Sequence, residues 1–437
     1  MSKIRVALVK PPERTSLDFG CFSLAVLAAY QKDIALVKIF DSTSQPIDEA
    51  ATAVNAWAPN IIGVTTMAID SVGPTVALIK RIREIGYTGL VVAGGHGATM
   101  LPSELLENGA DAVVYGEGES TFREVITSGV SEEVRGLFLL QEGKLTKTPP
   151  RPPLDMDQLP PPARHLMNPP QGDLVMLETS RGCPHHCAFC ETTKFHGNQW
   201  RGRSPQNVAR DVHDLVSAGA KIITISDDNF LANPERAKQI SEELSNKKLP
   251  LFFIFSARSD DLLRDPEVIP ALARSHFLRV NVGVETVAPE LSAIIRKTIT
   301  LDEHRRAFQA MREAGIYSVA SFIVGLPGET EQMRSGYLQA SVELADSAVF
   351  LPFQPLPGID LGDGSCQPEP WCIELAEALT KQFQIHPSVI KKLLKAAREP
   401  TVRGMLARTS LQNRLKSRAL DKESSSWLQE ELQKISS

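Results

Sequence analysis

From residue 3 to about residue 130, short apolar runs rich in valine and isoleucine alternate with amphipathic stretches, and no other feature constrains the fold so tightly. Arg5–Val9, Ile34–Phe40, Ile61–Thr65, Leu90–Ala93 and Ala112–Tyr115 read as strands buried on both faces. Leu24–Tyr30, Ile47–Ala56, Val76–Ile85 and Pro102–Glu107 read as the helices between them. Strand and helix in this order bury their apolar faces together in a parallel, doubly wound sheet. Residues 136–145 read as a closing hairpin with its turn at Glu142-Gly143, so a Rossmann-like domain is expected over residues 1–145.

Nine of the 30 prolines lie between Pro149 and Pro170, a density neither helix nor sheet tolerates, and residues 146–172 read as a linker. The alternation then resumes with a longer period. Leu174–Glu178, Ile222–Ser226, Leu251–Ser256, Phe277–Val284, Ser318–Val324 and Val349–Phe353 are six strand candidates. Ser204-Pro205, Asn233-Pro234 and Asp265-Pro266 read as capped helix starts, and Thr300 with Glu303 as a capping box. Six βα units predict a partial (β/α)6 TIM-like barrel over residues 173–360, with its active site at the strands' C-terminal ends. The remainder, 361–437, reads as helical and basic: between Lys391 and Arg418 stand nine basic residues and one acidic, Glu399. A solvated helical face explains such a run, and so does a docking surface for an anionic group.

A net charge of −5 and a pI near 6.0 give no global reason to expect a nucleic-acid partner. The longest apolar stretches, such as Leu251–Phe255, fall far short of the roughly 20 residues a membrane span needs. Met1-Ser2-Lys3-Ile4-Arg5 runs directly into a strand-like segment without a secretory signal, so a cytoplasmic protein is expected. In a reducing compartment disulfides are not expected of the six cysteines, and three of them, crowded into eight residues, need another explanation.

Those three stand in Glu178-Thr-Ser-Arg-Gly-Cys183-Pro-His-His-Cys187-Ala-Phe189-Cys190, just after the first barrel strand. Thiolates at spacings of four and three residues converge on one side of a short loop, and soft sulfur ligands suit an iron–sulfur cluster. Zinc is the competitor, with His185 or His186 as a fourth ligand. Three cysteines on a four-iron cluster leave one iron open to bind a ligand directly. Cys366 and Cys372 are too few for a second cluster and read as ordinary thiols, as does Cys21.

The Cys-x3-Cys-x2-Cys spacing, with Ser180-Arg181-Gly182-Cys183-Pro184 around it, resembles the radical S-adenosylmethionine superfamily. That resemblance implies a [4Fe–4S] cluster on Cys183, Cys187 and Cys190, with S-adenosylmethionine on the open iron. One-electron reduction then gives methionine and a 5′-deoxyadenosyl radical. It further implies S-adenosylmethionine contacts from Phe189, from Asp227, Asp228 and Asn229 after the second strand, and from Ser256 and Arg258 after the third. Gly283 and Glu285 after the fourth strand, and Gly325 and Pro327 after the fifth, complete the set.

The first domain is similar to the cobalamin-binding domain fused to one branch of that superfamily. The matching stretches are Pro59–Thr65, Val92–Thr99 and Asp111–Glu119, and the later Asp157–Arg164 resembles that branch's linker. This implies a cobalamin edge of Thr65, Thr66, Gly94, Gly95, His96, Gly116 and Glu117. No histidine lies between Lys10 and Gly20, so no axial histidine from that loop is expected, and His96 is expected to line the site. The branch contains C-methyltransferases and the anaerobic Mg-protoporphyrin ester cyclase. Methyl transfer to an unactivated carbon of a small molecule is therefore the leading expectation, with a flavodoxin or ferredoxin as electron donor. Oxidative cyclisation or hydroxylation of a tetrapyrrole-like substrate is the second, and a non-catalytic iron–sulfur or zinc regulator the third. Phe353, Gln354, Pro355, Pro357 and Gly358, after the last strand, are candidates to face the substrate.

Overall fold

A computed structural model describes residues 3–13, 20–167, 173–245, 249–417, 420 and 422–436. The chain divides into two units. One comprises Met1–Met176, Glu191–Arg201 and Leu356–Gly358; the other comprises Leu177–Cys190, Gly202–Pro355 and Ile359–Ser437.

In the first unit the valine-rich runs become β1 (Ile4–Lys10), β2 (Ala35–Asp41), β3 (Ile61–Thr65), β4 (Leu90–Gly94) and β5 (Ala112–Val114). They pair in parallel in the order β2-β1-β3-β4-β5, and β6 (Leu137–Gln141) and β7 (Lys144–Lys147) extend the sheet antiparallel. The hairpin turns as expected: Glu142 and Gly143 both take positive φ, 50° and 76°, matching a two-residue turn to the twist of its strands. Register aligns Thr65 with Gly94 and Gly94 with Val114, so small residues share the C-terminal edge. Two helices that follow strands of this sheet escape the sequence reading. His96–Met100 follows β4 directly, and Glu119–Ser128 packs Phe122, Val125 and Ile126 into the core.

The proline-dense stretch is more than a connection. Ala163 and Met167 lie in the apolar core of the first unit, and the Ala163 amide donates to the Ala25 carbonyl over 2.9 Å. Proline supplies no ladder donor, so this segment is held by apolar burial, isolated backbone bonds and side-chain contacts such as Arg151 with Glu124 and Leu154 with Glu117.

The second unit is built on a six-stranded sheet. Its strands are β8 (Leu174–Leu177), β9 (Ile222–Ile225), β10 (Phe252–Ala257), β11 (Phe277–Glu285), β12 (Tyr317–Val324) and β13 (Ser347–Pro352), in the order β13-β12-β11-β10-β9-β8. The registers from β9 to β13 are parallel. Rings stack within the sheet and on the short 3-10 turn beside it: Phe253 of β10 and Phe277 of β11 at 4.3 Å, and Phe230 of the turn and Phe277 at 5.2 Å, each pair adding ~0.5–1.5 kcal/mol beyond burial. Ser204 and the Thr300–Glu303 box cap helices Pro205–Ser217 and Leu301–Glu313. Asp265-Pro266, by contrast, caps a turn, and the helix there begins only at Val268.

The basic C-terminal region resolves into helices that bury Phe383, Leu393, Leu411 and Leu428. Of its eight described basic residues between 391 and 418, Lys391, Lys395, Arg398 and Lys416 are exposed, as a solvated face would have them, and the other four are internal. Arg403 pairs with buried Asp346 at 2.8 Å, Lys392 donates to the carbonyls of Val342 and Ala345, and Arg408 donates to Ala397. Neither expectation, a solvated face or an anion-docking surface, describes these three. They satisfy carbonyls and a carboxylate where helices meet. Arg418 lies outside the described residues.

Candidate active site

The cysteine loop leaves β8 through Thr179 and Ser180, which are buried beneath it. Asp227, at the end of β9, accepts the Thr179 amide at 2.7 Å and the hydroxyls of Thr179 and Ser180 at 2.5 Å each. Burial pushes the Asp227 carboxyl up to about 6 against those three bonds. Asp228 accepts the amide of Gly182 at 2.8 Å, and Gly182 turns the chain toward Cys183 with a φ of 80° that a side chain would oppose. Both oxygens of Asp227 are therefore spent on the loop. Its role here is to position the cysteines, where the resemblance implied a ligand contact.

Farther along, Ala188 donates its amide to the Ile295 carbonyl and accepts from that of Leu361, strapping the loop between Cys187 and Cys190. All three thiols are unpaired by disulfides and half-buried. The Asn229 amide nitrogen lies 3.8 Å from Cys183 Sγ, and Arg258 Nη1 lies 3.2 Å from Cys187 Sγ. Burial raises the Cys183 pKa, while the Asn229 hydrogen bond and the Arg258 charge oppose it.

This donor set suits iron better than zinc. A single tetrahedral zinc with bonds of about 2.3 Å would draw its sulfurs to within ~4 Å of one another. Among the described residues, the only group of three or more ligating side chains gathered within 4.8 Å is His185, Asp260 and Asp261, without a cysteine. His185 Nε2 faces Asp261 at 3.2 Å, and His186 is exposed. In a cubane each thiolate binds a different iron, so wider spacing is expected. These three side chains are already engaged with one another and with protein partners: Asp260 is gripped by Arg258, and Asp261 meets Asn229, His185 and Arg264.

Around the loop, the expected ligand contacts fall into two groups. Phe189 and Ser256 are half-buried, and the Ser256 hydroxyl has no described protein partner. Asn229 is 2% exposed, and its side-chain oxygen is buried without a partner, as an acceptor awaiting an ammonium group would be. Arg258 is held bidentately by Asp260 at 2.9 and 2.8 Å, and the Asp260 hydrogen bonds and charge lift its pKa despite burial. In the second group, internal packing accounts for the residue. Glu285, with φ at 63°, forms a buried pair with Lys297 at 2.7 Å, and a Cβ on Gly283 would collide with both side chains. Gly325, at φ 90°, donates its amide to Glu329 at 2.8 Å, and a Cβ there would overlap the Cys372 sulfur. The smallness of Gly325 thus serves Cys372, 2% exposed, where the resemblance implied adenine. Pro327 is exposed.

At the sheet edge of the first unit, Thr65 and Gly94 end their strands. A Cβ added at Gly116 would meet nothing within 4 Å, and one at Gly94 only Val114 at 3.5 Å or beyond. Met67 stands 48% exposed beside them. This open, small-residue edge fits a broad flat ligand. Thr66 and Glu117 do not contribute their side chains to it. Thr66 turns inward to hydrogen-bond Thr75 at 3.1 Å, and the Gly95 backbone is pressed against the Thr66 carbonyl. Glu117 accepts the Leu154 amide and pairs with Arg201. His96 stacks on Phe195 at 3.7 Å with Nδ1 3.3 Å from Glu191, so one ring face is covered. Asp260, Asp261 and Lys297 escaped the sequence reading. The first two directly follow Arg258-Ser259 and were within reach of a search for partners to that arginine; nothing in sequence singles out Lys297.

Comparison with known proteins matches these two regions separately. The radical SAM superfamily model matches residues 177–339, and the B12 binding domain model matches residues 17–126. An uncharacterized methyltransferase of Pyrococcus horikoshii is 30% identical over 385 residues, covering 83% of this chain and 83% of the relative. An anaerobic magnesium-protoporphyrin IX monomethyl ester cyclase of Rubrivivax gelatinosus is 28% identical over 334 residues, 72% of this chain and 60% of its own length. The radical S-adenosylmethionine methyltransferase TsrM of Kitasatospora setae, solved with cobalamin and a [4Fe–4S] cluster, superposes with a TM-score of 0.71. It is 22% identical, over 83% of this chain and 74% of that one, and shares the fold. The chain belongs to the radical SAM superfamily, in the branch that carries a B12-binding domain. The cofactors of that branch are a [4Fe–4S] cluster, S-adenosylmethionine and cobalamin. Among the described residues no helix is long and apolar enough to cross a membrane.

Proposed function

We propose that this protein transfers a methyl group to an unactivated carbon of a small-molecule substrate. The observation that carries the radical chemistry is the cysteine loop itself, three half-buried thiols with N–H donors at Cys183 and Cys187, His185 held against Asp261 and His186 exposed. The methyltransferase relative at 30% identity supports methyl transfer. When bound, the cluster and S-adenosylmethionine supply a carbon-centred radical and cobalamin supplies a methyl carrier. Cys183, Cys187 and Cys190 would hold the cluster. The Asn229 side-chain oxygen and the Ser256 hydroxyl would receive the polar groups of S-adenosylmethionine. Thr65, Gly94 and Gly116 would seat cobalamin, and a low-potential donor of flavodoxin or ferredoxin type would deliver the electron. The protein's own part is to orient these groups and exclude water; hydrogen abstraction needs no protein base.

A second reading, oxidative cyclisation, is supported by the cyclase relative at 28% identity. Anaerobic reconstitution with S-adenosylmethionine, a strong reductant and cobalamin, followed by chromatography, separates the two. 5′-Deoxyadenosine together with S-adenosylhomocysteine supports methyl transfer, whereas 5′-deoxyadenosine alone supports the oxidative reading. Neither product from a fully loaded cluster refutes both, and Cys183→Ala is the blank.

A further inference from the structure

The helix Ser259–Arg264 begins with two adjacent carboxylates, and each holds a different side chain that reaches a different cysteine. Asp260 grips Arg258 through Nε and Nη2 at 2.9 and 2.8 Å, leaving Nη1 directed at Cys187 Sγ, 3.2 Å away. Asp261, fully buried, accepts one hydrogen of the Asn229 amide at 2.6 Å. The same nitrogen lies 3.8 Å from Cys183 Sγ. An amide nitrogen has two hydrogens, so a single orientation serves carboxylate and sulfur together. That orientation also turns the Asn229 oxygen away from Asp261, where it is buried and unpartnered. Asp261 is itself fixed by Arg264 and by His185, a residue of the cysteine loop. Each carboxylate thus stands one residue removed from a thiol and acts through a neighbour.

We infer that Asp260 and Asp261 are positioning residues that aim Arg258 and Asn229 at Cys187 and Cys183, and so set the reduction potential of the cluster those cysteines hold. Hydrogen bonds to thiolate sulfur stabilise the more negative, reduced cluster and raise its potential; losing them lowers it. Burial alone would favour protonated Asp260, but the Arg258 hydrogen bonds and the nearby positive charges keep its pKa below the ordinary carboxylate value, as a fixed anionic anchor requires.

Two effects of removing Asp261 oppose each other. Loss of a negative charge raises the potential, and release of the Asn229 amide lowers it. A double-mutant cycle isolates the second. Asp261→Asn, Asn229→Leu and the double variant are reconstituted anaerobically, and the cluster is titrated with EPR detection in the absence of S-adenosylmethionine. The expected result is that Asp261→Asn shifts the potential more negatively in the native background than in the Asn229→Leu background. The difference should be worth about threefold or more in the reduced-to-oxidised ratio at fixed poise, the size of one modest hydrogen bond. Equal shifts in both backgrounds overturn the inference.

Should the Asp261 variants fail to load, Asp260→Asn with Arg258→Met gives the same cycle at Cys187, read by the same criterion. The inference rests on the cluster reading, yet the two fail differently. Native protein without iron and sulfide would remove the cluster, whereas loaded clusters with additive shifts would remove only the role of the aspartates.

Discussion

Replacing Lys297 by methionine leaves the Glu285 carboxylate buried with its partner gone. The two side chains are 2.7 Å apart, and the residues are 8% and 6% exposed, so solvent screens little of their interaction. Breaking such a pair by deleting one member costs about 3–5 kcal/mol, because the remaining charge stays desolvated. At ~2–4 °C per kcal/mol for a unit of this size, Tm should fall by roughly 6–20 °C. Methionine nearly matches the lysine stem in volume, so a cavity contributes little. The double variant Glu285→Gln with Lys297→Met removes both charges and should recover most of the loss, since a buried pair and a neutral replacement are often close in energy. Thermal and urea unfolding of the metal-free protein, followed by circular dichroism, measure both variants. A Lys297→Met loss below ~1 kcal/mol, or a double variant no more stable than the single, would refute the reasoning and return Gly283 and Glu285 to the set of ligand contacts.

Asp227 gives a pH signature. Its carboxyl is raised from 3.8 to about 6, so the folded chain keeps a proton that the unfolded chain releases; this group's contribution to stability is complete below about pH 4 and is lost as pH rises toward 6. Asp227→Asn should flatten that part of the stability profile, read by urea midpoints at stepped pH, and an unchanged slope would assign it to other groups. His186→Ala should leave iron and sulfide content unchanged, because the ring is exposed and not needed as a ligand. A loss of bound metal in that variant, with zinc in the native protein, would replace the cluster by a zinc site.

Much of the fold is legible in the sequence, and the reason is periodicity. The strands Ile61–Thr65 and Ile222–Ile225, and the helix Ile47–Ala56, announce themselves because buried parallel strands and amphipathic helices leave different apolar spacings. The turn Glu142-Gly143 and the cap Thr300 were legible because their chemistry is local. The helix Glu119–Ser128 is masked in the sequence because Gly116-Glu-Gly-Glu119 reads as a loop, although Phe122, Val125 and Ile126 mark its buried face.

The cysteine spacing alone determined that the chain offers a soft-metal ligand set, with iron–sulfur and zinc both open, since three thiolates within eight residues need no distant partner to come together. Tertiary structure decided who serves whom. Asp227 supports the loop, Gly325 makes room for Cys372, Glu117 pairs with Arg201, and Asp260 and Asp261 stand behind Arg258 and Asn229. The physical reason is that a buried polar group takes whichever partner the packed interior brings within about 3 Å, and that partner, as with Lys297 and Glu285, carries no signature of its role in sequence.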